Sequence, residues 1–365
     1  MASTANDDED ARRRTVHINA ETVTNITSTD FPGHHAGEDA SWSLQKFRDG
    51  LTVEFHKNQT HDAVFSLVGI DASIANAFRR ILLAEVPTLA IEKVYVQNNT
   101  SVIADEVLAH RLGLIPFRGS ISGLKWLKWY FAPNDEQNYK GMDRTDYNTV
   151  VFQLQAKCMR NPDGSDNHIN GNVYSEQIQW IEQGRQKEQF AGDPISPVSE
   201  KILIAKMRPG QELDMTMHAH LGVGKDHAKF SPVATATYRL MPMITILKPI
   251  LGADAVKFQG CFSPGVIDLE RVTASDVASG NPVYADREGD EKAVVKNPFE
   301  DTVSRECLRH DEFKGKVKLG RRQDHFIFSV ESTGQYPSDI LFSDAVGVLK
   351  YKAKRLLRAM EEIDG

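Results

Sequence analysis

Three histidines close together in the sequence are the first candidates for chemistry. His218, His220 and His227 lie in one short segment, and neutral imidazole is a common zinc ligand. Side chains two residues apart project from one face of a β-strand, so His218 and His220 would share a face in a strand. The spacing offers no evident fourth ligand. A zinc-dependent enzyme is therefore one hypothesis, and packing or solvent-facing histidines are the other. We favour the second and predict no bound metal and no cofactor.

The same segment has the glycines and the lysine of a phosphate-binding loop but not its spacing. Such a loop needs GxxxxGK followed by Ser or Thr, whose hydroxyl binds Mg²⁺. Here Ala219 occupies the first glycine position and Asp226 follows Lys225. The hydrolase patterns GxSxG and HExxH do not occur, and none of the three cysteines forms a CxxC pair. We therefore predict that the chain has no catalytic residues and no cysteine-based zinc site.

An aromatic cluster next to lysines raises the hypothesis of nucleic-acid binding, because bases stack on aromatic rings. The residues of the cluster are Trp126, Trp129, Tyr130 and Phe131, beside Lys125 and Lys128. The whole chain, however, has 43 Lys and Arg against 50 Asp and Glu, a net charge of −7. A broad phosphate-binding surface requires the opposite sign. We therefore favour packing of this cluster under a loop over an autonomous nucleic-acid-binding protein.

Two amphipathic helices are the elements best suited to bind a partner. Asp71 can cap a helix over about 72–86. The apolar stripe of this helix is formed by Ile74, Phe78, Ile81, Leu82 and Val86. A second helix is predicted over about 338–363, with apolar residues spaced alternately four and three, as in the seam of a coiled coil. The residues of this seam are Phe342, Val346, Leu349, Ala353, Leu356, Met360 and Ile363. Both stripes are wider than one sheet face needs, so both helices are candidates for an interface.

Arg79 and Arg80 stand in the middle of the first helix. Paired guanidinium groups on a half-buried helix are costly unless they contact carboxylates or carbonyl oxygens. Arg80 lies about 200° from Phe78 at about 100° per residue, so it points away from the apolar stripe. Solvent or an internal carboxylate is one explanation of the pair, and contact with a further chain is the other.

The rest of the chain predicts a β-rich middle between less regular regions. Residues 1–44 are polar, and we expect a tail there that is mobile or lies as a strap over a neighbour. Alternating apolar residues predict strands near 51–55 and 63–69, and short strands recur through 117–250. Residues 251–314 are rich in turn-forming and charged residues, so we expect little regular structure. No run of about 18 apolar residues occurs, so no membrane span is expected.

Four ordered blocks of this sequence resemble the α-like subunits of cellular RNA polymerases. The blocks are 71–92, 99–116, 224–233 with Tyr238 and Pro242, and 328–334 followed by the long helix. Within this family the chain is most similar to the larger α-like subunit shared by RNA polymerases I and III, through residues 295–306 and 308–313. The RNA polymerase II relative is the nearest alternative. The zinc-binding cysteines of that relative have no counterpart here, because the corresponding loop at about 131–147 has no cysteine.

The resemblance implies an α+β fold with a discontinuous dimerisation domain, in which residues 45–98 and 315–365 form a sheet with two helices across it. Residues 99–250 would be an inserted β-rich domain. Some archaeal relatives carry an iron–sulfur cluster in a ferredoxin-like insertion, and residues 251–314 are similar to a degenerate form of it. Cys261 and Cys307 alone could not hold such a cluster, which needs about four ligands.

The resemblance also implies a non-catalytic scaffold of the DNA-directed RNA polymerases I and III, which make ribosomal, 5S and transfer RNA. The chain would form a heterodimer with the small α-like subunit through the two apolar stripes. It would then bind the second-largest subunit and a small zinc-binding subunit. Arg79 and Arg80 would contact the large subunit, since Arg80 matches the second arginine of the family helix, which faces the large subunit in bacterial relatives. Location in the nucleus and nucleolus, indirect contact with DNA and RNA, and no membrane contact complete the implied picture.

Overall fold

A computed structural model describes residues 14–26, 41–131, 143–162 and 168–364 of the chain. This part of the chain combines α-helices with antiparallel strand pairs, so the predicted α+β class is confirmed. Most of the predicted tail, residues 1–44, lies outside the described residues.

The helices match the sequence patterns well at the two predicted interface elements. They are α1 (Leu44–Gly50), α2 (Ala72–Ala84), α3 (Asp105–Gly113), α4 (Ile121–Trp126), α5 (Gln186–Gln189), α6 (Ala253–Gly260), α7 (Ala274–Ala278) and α8 (Ser338–Asp364). Among the described residues, no helix is both long enough and apolar enough to cross a bilayer.

The strands of the described residues fall into five sheets. They are β1 (Thr15–Ile18), β2 (Val23–Thr24), β3 (Thr52–Gln59), β4 (Asp62–Val68), β5 (Thr88–Asn99), β6 (Phe117–Arg118), β7 (Val150–Lys157), β8 (Asn172–Tyr174), β9 (Ile178–Ile181), β10 (Ser196–Pro197), β11 (Leu203–Lys206), β12 (Glu212–Gly222), β13 (Val233–Ile246), β14 (Ile267–Arg271), β15 (Glu291–Val295) and β16 (Val317–Ser332). The largest sheet has the order β2–β1–β16–β4–β3, with β13 also paired to β16. The long central strand β16 buries Phe326 and Phe328, and Phe65 of β4 stacks on Phe328 with ring centroids 5.4 Å apart.

The first strand corrects one of our predictions. Residues 15–18 lie within the predicted mobile tail, yet they pair with β16, with Val16 opposite Arg321. Val16 and Ile18 are buried in this sheet. Two apolar residues separated by His17 are enough to occupy a sheet position, but they form too short a pattern to predict a strand from sequence.

The second sheet has the order β5–β12–β7–β9 and forms the β-rich middle of the chain. In its central strand β12, Met217 lies opposite Val94 of β5 and Phe152 of β7. Alternate side chains of β12 are fully buried, namely Leu213, Met215, Met217 and Ala219. This alternation is the period of two that a half-buried strand requires.

The chain divides into two compact units. The first comprises Met1–Glu54, Phe65–Ala75 and Tyr238–Phe328, and the second comprises Phe55–Val64, Asn76–Thr237 and Ser329–Gly365. The division passes along β3, β4 and β16. The predicted domain boundaries at residues 98 and 315 are not among the points of this division, and they stay a prediction.

The segment from 251 to 314 is more regular than we predict from its turns and charges. It contains α6, α7 and an antiparallel β14–β15 pair with Leu269 opposite Ala293, and it supplies most of a hydrophobic core that residues of β1, β13 and β16 complete. Phe258 of α6 is fully buried there and contacts the rings of Phe262 and Phe313 at 4.9 Å and 5.2 Å. The expectation of little regular structure is wrong here, because short elements supply single core side chains without any sustained period.

Candidate partner-binding surface

The two halves of α8 differ in their environment. In the first half, Leu341 and Ala345 are fully buried in the chain's own core. Every residue from Tyr351 to Ile363 is exposed, including Leu356 at 68% and Met360 at 55%. The predicted seam is therefore half-buried at Phe342 and Leu349 and exposed at Val346, and from Ala353 to Ile363 it is exposed without cover from the described residues.

The structure brings the N-terminal end of this seam next to the predicted stripe of α2. Phe78 and Phe342 meet edge to face with ring centroids 5.3 Å apart, and both are half-buried. Ile74 is also half-buried, whereas Ile81 and Leu82 are 2% and 0% exposed. These last two side chains belong to the chain's own core, so their predicted part in an interface can only be to support the residues above them.

An ion pair that sequence reasoning missed ties the two helices together. Lys352 Nζ lies 2.8 Å from both carboxylate oxygens of Glu85, just beyond the end of α2. Exposed pairs of this kind contribute about 0–1 kcal/mol. The ion pair matters for the position of the helices rather than for stability, because it holds α8 against α2 where the exposed half of α8 begins. No sequence signal could have found it, since the partners are far apart in the chain.

The two arginines of α2 have different surroundings. Arg79 donates to the side-chain oxygen of Asn76 from Nε at 3.1 Å and from Nη2 at 2.8 Å. Arg80 is exposed, and we find no hydrogen bond or ion pair to it among the residues that the structure describes. The guanidinium of Arg80 is therefore available to a further chain, whereas Arg79 is occupied within its own helix.

The glycine-rich segment after β12 holds the C-terminal end of α2. The backbone N–H of Lys225 donates to the carbonyl oxygen of Ala84 at 2.9 Å, which satisfies a free carbonyl of the last helical turn. A Cβ at Gly224 would overlap the carbonyl oxygen of Leu83, and one at Gly222 would overlap the ring of Phe230. Gly224 is thus required for close packing against the end of α2, and Gly222 for close packing against Phe230.

The candidate histidines serve packing roles. His220 is 4% exposed, stacks on Tyr130 at 4.3 Å, and places Nδ1 3.0 Å from the carbonyl oxygen of Asn148. Burial lowers the pKa of His220. Burial, and then the positive charge of Arg144, lower the pKa of His218 to about 4. Both rings are therefore neutral at physiological pH.

The third histidine belongs to a different structure. Nδ1 of His227 accepts the backbone N–H of Lys229 at 3.1 Å, at the start of a short turn. The ring of His227 lies 6.4 Å from that of His110. No group of three or more His, Cys, Asp or Glu arranged to hold a metal is present among the described residues.

The aromatic cluster does not form a single platform. The guanidinium of Arg185 lies over the ring of Trp126, 5.5 Å from its centre. Tyr130 is stacked on His220, while Trp129 and Phe131 are 39% and 40% exposed. The members of the cluster thus serve separate contacts, so the aromatic pattern by itself does not indicate base stacking.

Comparisons with known proteins place the chain among RNA polymerase subunits. The family model for the RNA polymerase Rpb3/Rpb11 dimerisation domain matches residues 64–353. The mouse protein named DNA-directed RNA polymerases I and III subunit RPAC1 is 44% identical over 349 residues, covering 94% of each chain. The Saccharomyces cerevisiae protein of that name is 46% identical over 348 residues, covering 93% of this chain and 97% of the yeast protein.

A more distant relative provides a comparison for these identities and coverages. The Arabidopsis thaliana protein named DNA-directed RNA polymerases II, IV and V subunit 3 is 34% identical over 298 residues, covering 80% of this chain. The RPAC1 proteins match over more of the chain and at higher identity. The matched region, residues 64–353, contains all of α2 and α8 as far as residue 353, and the chain belongs to the RNA polymerase family defined by the Rpb3/Rpb11 dimerisation domain.

Proposed function

We propose that the chain is the non-catalytic α-like assembly subunit shared by RNA polymerases I and III, acting in the nucleus and nucleolus. The single observation that carries this proposal is the exposed apolar seam in the second half of α8. The RPAC1 proteins that the chain resembles are named as subunits of both polymerases. A subunit with this role contacts DNA and RNA only through the assembled enzyme.

The proposed partner at the seam is the small α-like subunit. A helix of 27 residues is about 40 Å long, and obligate interfaces of this kind bury on the order of 2,000 Å² or more. The residues proposed to contact the partner are Ile74, Phe78, Phe342, Val346, Leu349, Ala353, Leu356 and Met360. Ile81 and Leu82 would support Phe78 from below.

Coexpression with the small α-like subunit tests this interface. Leu349→Glu should abolish the complex, because an unpaired carboxylate in an apolar interface costs several kcal/mol, about 100-fold or more in affinity. Ser343→Glu is the matched control, since it places the same charge on an exposed position of α8 outside the seam. Leu356→Glu is a second test at an exposed site. Its result does not depend on correct folding of the variant at the half-buried Leu349. A stable complex with both seam variants would exclude the seam as the interface.

We also propose that Arg80 contacts the second-largest polymerase subunit, with the small zinc-binding subunit joining the same assembly. The support is the position of Arg80, exposed on α2 and free of partners among the described residues. A guanidinium can form a bidentate pair with a carboxylate of another chain. Removing one member of such a buried pair costs roughly 2–5 kcal/mol.

Coexpression of all three chains, with the tag on this one, tests the role of Arg80. Arg80→Ala should leave the heterodimer intact and weaken recovery of the second-largest subunit. Arg80→Lys should restore recovery only in part, because Lys lacks the planar fork. Arg79→Ala is the internal control, since Arg79 is bound to Asn76. Equal recovery of the large subunit with wild type and Arg80→Ala would remove Arg80 from the interface.

We further propose that the chain binds no metal of its own. The support is the environment of His218 and His220, whose rings pack against Tyr95 and Tyr130. Elemental analysis of the purified heterodimer should give far less than one zinc or iron per chain. A stoichiometric metal that is lost in His220→Ala would contradict this proposal.

A further inference from the structure

A cavity of about 410 Å³ lies on the side of α8 that the seam does not use. This volume is within the range of about 300–1,000 Å³ that is typical of binding pockets. The walls of the cavity are mostly apolar and include Leu124, Leu127, Trp129, Tyr336, Gly347 and Tyr351. Leu124, Leu127 and Tyr336 are buried and form a fixed floor, whereas Trp129 and Tyr351 are exposed at 39% and 66%. The cavity therefore presents two aromatic side chains at its mouth.

The helical geometry separates this cavity from the proposed heterodimer interface. At about 100° per residue, Asp344, Gly347 and Tyr351 lie about 170° around α8 from Phe342, Val346 and Leu349. A partner seated on the seam would leave the cavity open. A ligand of the cavity is therefore distinct from the segment that covers the seam.

A ridge of positive charge continues from the cavity along the same face of α8. Its members are Lys354, Arg355 and Arg358, one to two turns beyond Tyr351. All three are exposed, and within the described part of the chain none of them forms an ion pair. We name this set the basic ridge. It is a local excess of positive charge on a chain whose net charge is −7.

The one carboxylate that lines the cavity is already neutralised. Asp344 accepts a charged hydrogen bond from Lys125 Nζ at 2.7 Å. The floor and mouth of the cavity thus add little net charge, and the basic ridge supplies the uncompensated charge next to it. A cavity with this lining accepts one large apolar side chain, and the ridge attracts negative charge on residues that follow it.

We propose that the cavity and the basic ridge together bind an acidic peptide segment of another polypeptide. An aromatic or large aliphatic side chain of that segment fills the cavity between Trp129 and Tyr351. Asp or Glu residues next to this anchor pair with Arg355 and Arg358. Buried aromatic and arginine contacts of this kind dominate many protein interfaces, and the charges steer the encounter.

Nucleic acid fits the same surface less well. Phosphates could bind the basic ridge, but Glu361 and Glu362 follow it within one turn and would repel a continuing backbone. The cavity would also remain unused by a phosphate contact. The peptide is therefore the occupant that accounts for both features.

Peptide selection from an unbiased library tests the proposal. Phage displaying random 12-residue peptides are panned on the purified full chain, and on its complex with the small α-like subunit where that complex forms. The expected result is enrichment of peptides that combine one aromatic or large aliphatic residue with two or more neighbouring acidic residues. Failure to enrich such peptides, or enrichment of basic ones, would overturn the proposal.

Two variants of this chain then locate the binding site of an enriched, fluorescein-labelled peptide. A Cβ at Gly347 would have no other atom within 4 Å, and Gly347 lines the cavity, so Gly347→Leu should place a side chain in the cavity and favour the helix. The double variant Arg355→Glu, Arg358→Glu reverses the ridge. Each should weaken peptide binding by at least about tenfold, measured by fluorescence anisotropy. Lys187→Glu, an exposed charge reversal on α5, is the control and should have no effect.

Recovery of the heterodimer separates this inference from the proposed function. Both test variants lie off the seam, so copurification of the small α-like subunit should be unchanged. Peptide binding that survives Gly347→Leu contradicts the cavity as the anchor site. A single-stranded oligonucleotide of mixed sequence is tested in parallel, and tighter binding of that oligonucleotide than of any selected peptide, insensitive to Gly347→Leu, would replace the peptide by nucleic acid and overturn the proposal.

Discussion

The core of residues 251–314 and the second half of α8 differ in how well the pattern of apolar residues in the sequence corresponds to burial in the structure. The first has no sustained apolar period, yet it buries Phe258, Phe313 and Val266 almost completely. The second has a regular heptad pattern, yet Leu356, Met360 and Ile363 are among the most exposed apolar residues of the described chain. A periodic pattern therefore predicts that a face is to be buried, but not that the same chain buries it.

The largest expected effect is on the free energy of unfolding, when a core side chain of residues 251–314 is truncated. Phe258→Ala should destabilise the chain by roughly 3–5 kcal/mol, because it removes a fully buried ring and leaves a cavity among Phe262 and Phe313. Val256→Ala on the same helix is the control and should cost less than about 0.5 kcal/mol, since Val256 is half exposed. Chemical denaturation followed by circular dichroism gives both values. Similar costs for the two variants would mean that this segment has no specific core.

Truncation of a side chain in the exposed half of α8 should have little effect on the stability of the free chain and a larger effect on partner binding. Leu356→Ala should change the stability of the isolated chain by less than about 0.5 kcal/mol, because the side chain is 68% exposed. In the complex with the small α-like subunit it should weaken binding by roughly 1–3 kcal/mol. Denaturation of the free chain and titration calorimetry of the complex provide the comparison. A large loss of stability in the free chain would show that the seam packs against its own chain.

The smallest perturbation uses cysteine chemistry as a probe. Burial raises the pKa of Cys307 to about 12. About one part in ten thousand of this thiol is then ionised at pH 8. Cys158 and Cys261 are also buried with raised pKa values. The native thiols should therefore react slowly with Ellman's reagent, with reactivity rising with pH.

A cysteine placed on the seam supplies the contrast. Leu356→Cys should react within seconds in the free chain and become protected in the heterodimer. Fast reaction of Cys261 or Cys307 in the folded chain would mean that the core of residues 251–314 opens readily. An unprotected Leu356→Cys thiol in the complex would place the partner elsewhere.

Local patterns predicted the elements that carry strong periods. The stripe of α2 and the seam of α8 follow from spacing alone, and the structure forms both helices close to the predicted bounds. The contact between Phe78 and Phe342 could not be predicted in this way, because it depends on how the sheet brings distant parts of the chain together.

Three other features were beyond the sequence for separate physical reasons. The strand β1 is too short to show a period, and its burial depends on pairing with β16. The ion pair between Lys352 and Glu85 joins two surface charges that resemble many others. The glycines at 222 and 224 look like part of a phosphate-binding loop, because such a loop and a tightly packed helix end both need residues without Cβ.

The central position of β16 has a consequence for the order of events during synthesis. β16 lies between β1 and β4 in the sheet, but it follows β4 by about 250 residues in the chain. At about 5–20 residues per second, the ribosome needs roughly 12–50 s to make the intervening chain. During that interval the edges of β1 and β4 that will pair with β16 have no partner, and unpaired strand edges promote aggregation. The largest sheet of this protein is therefore completed late, and its early strands β1 and β4 wait for β16 with an edge unpaired.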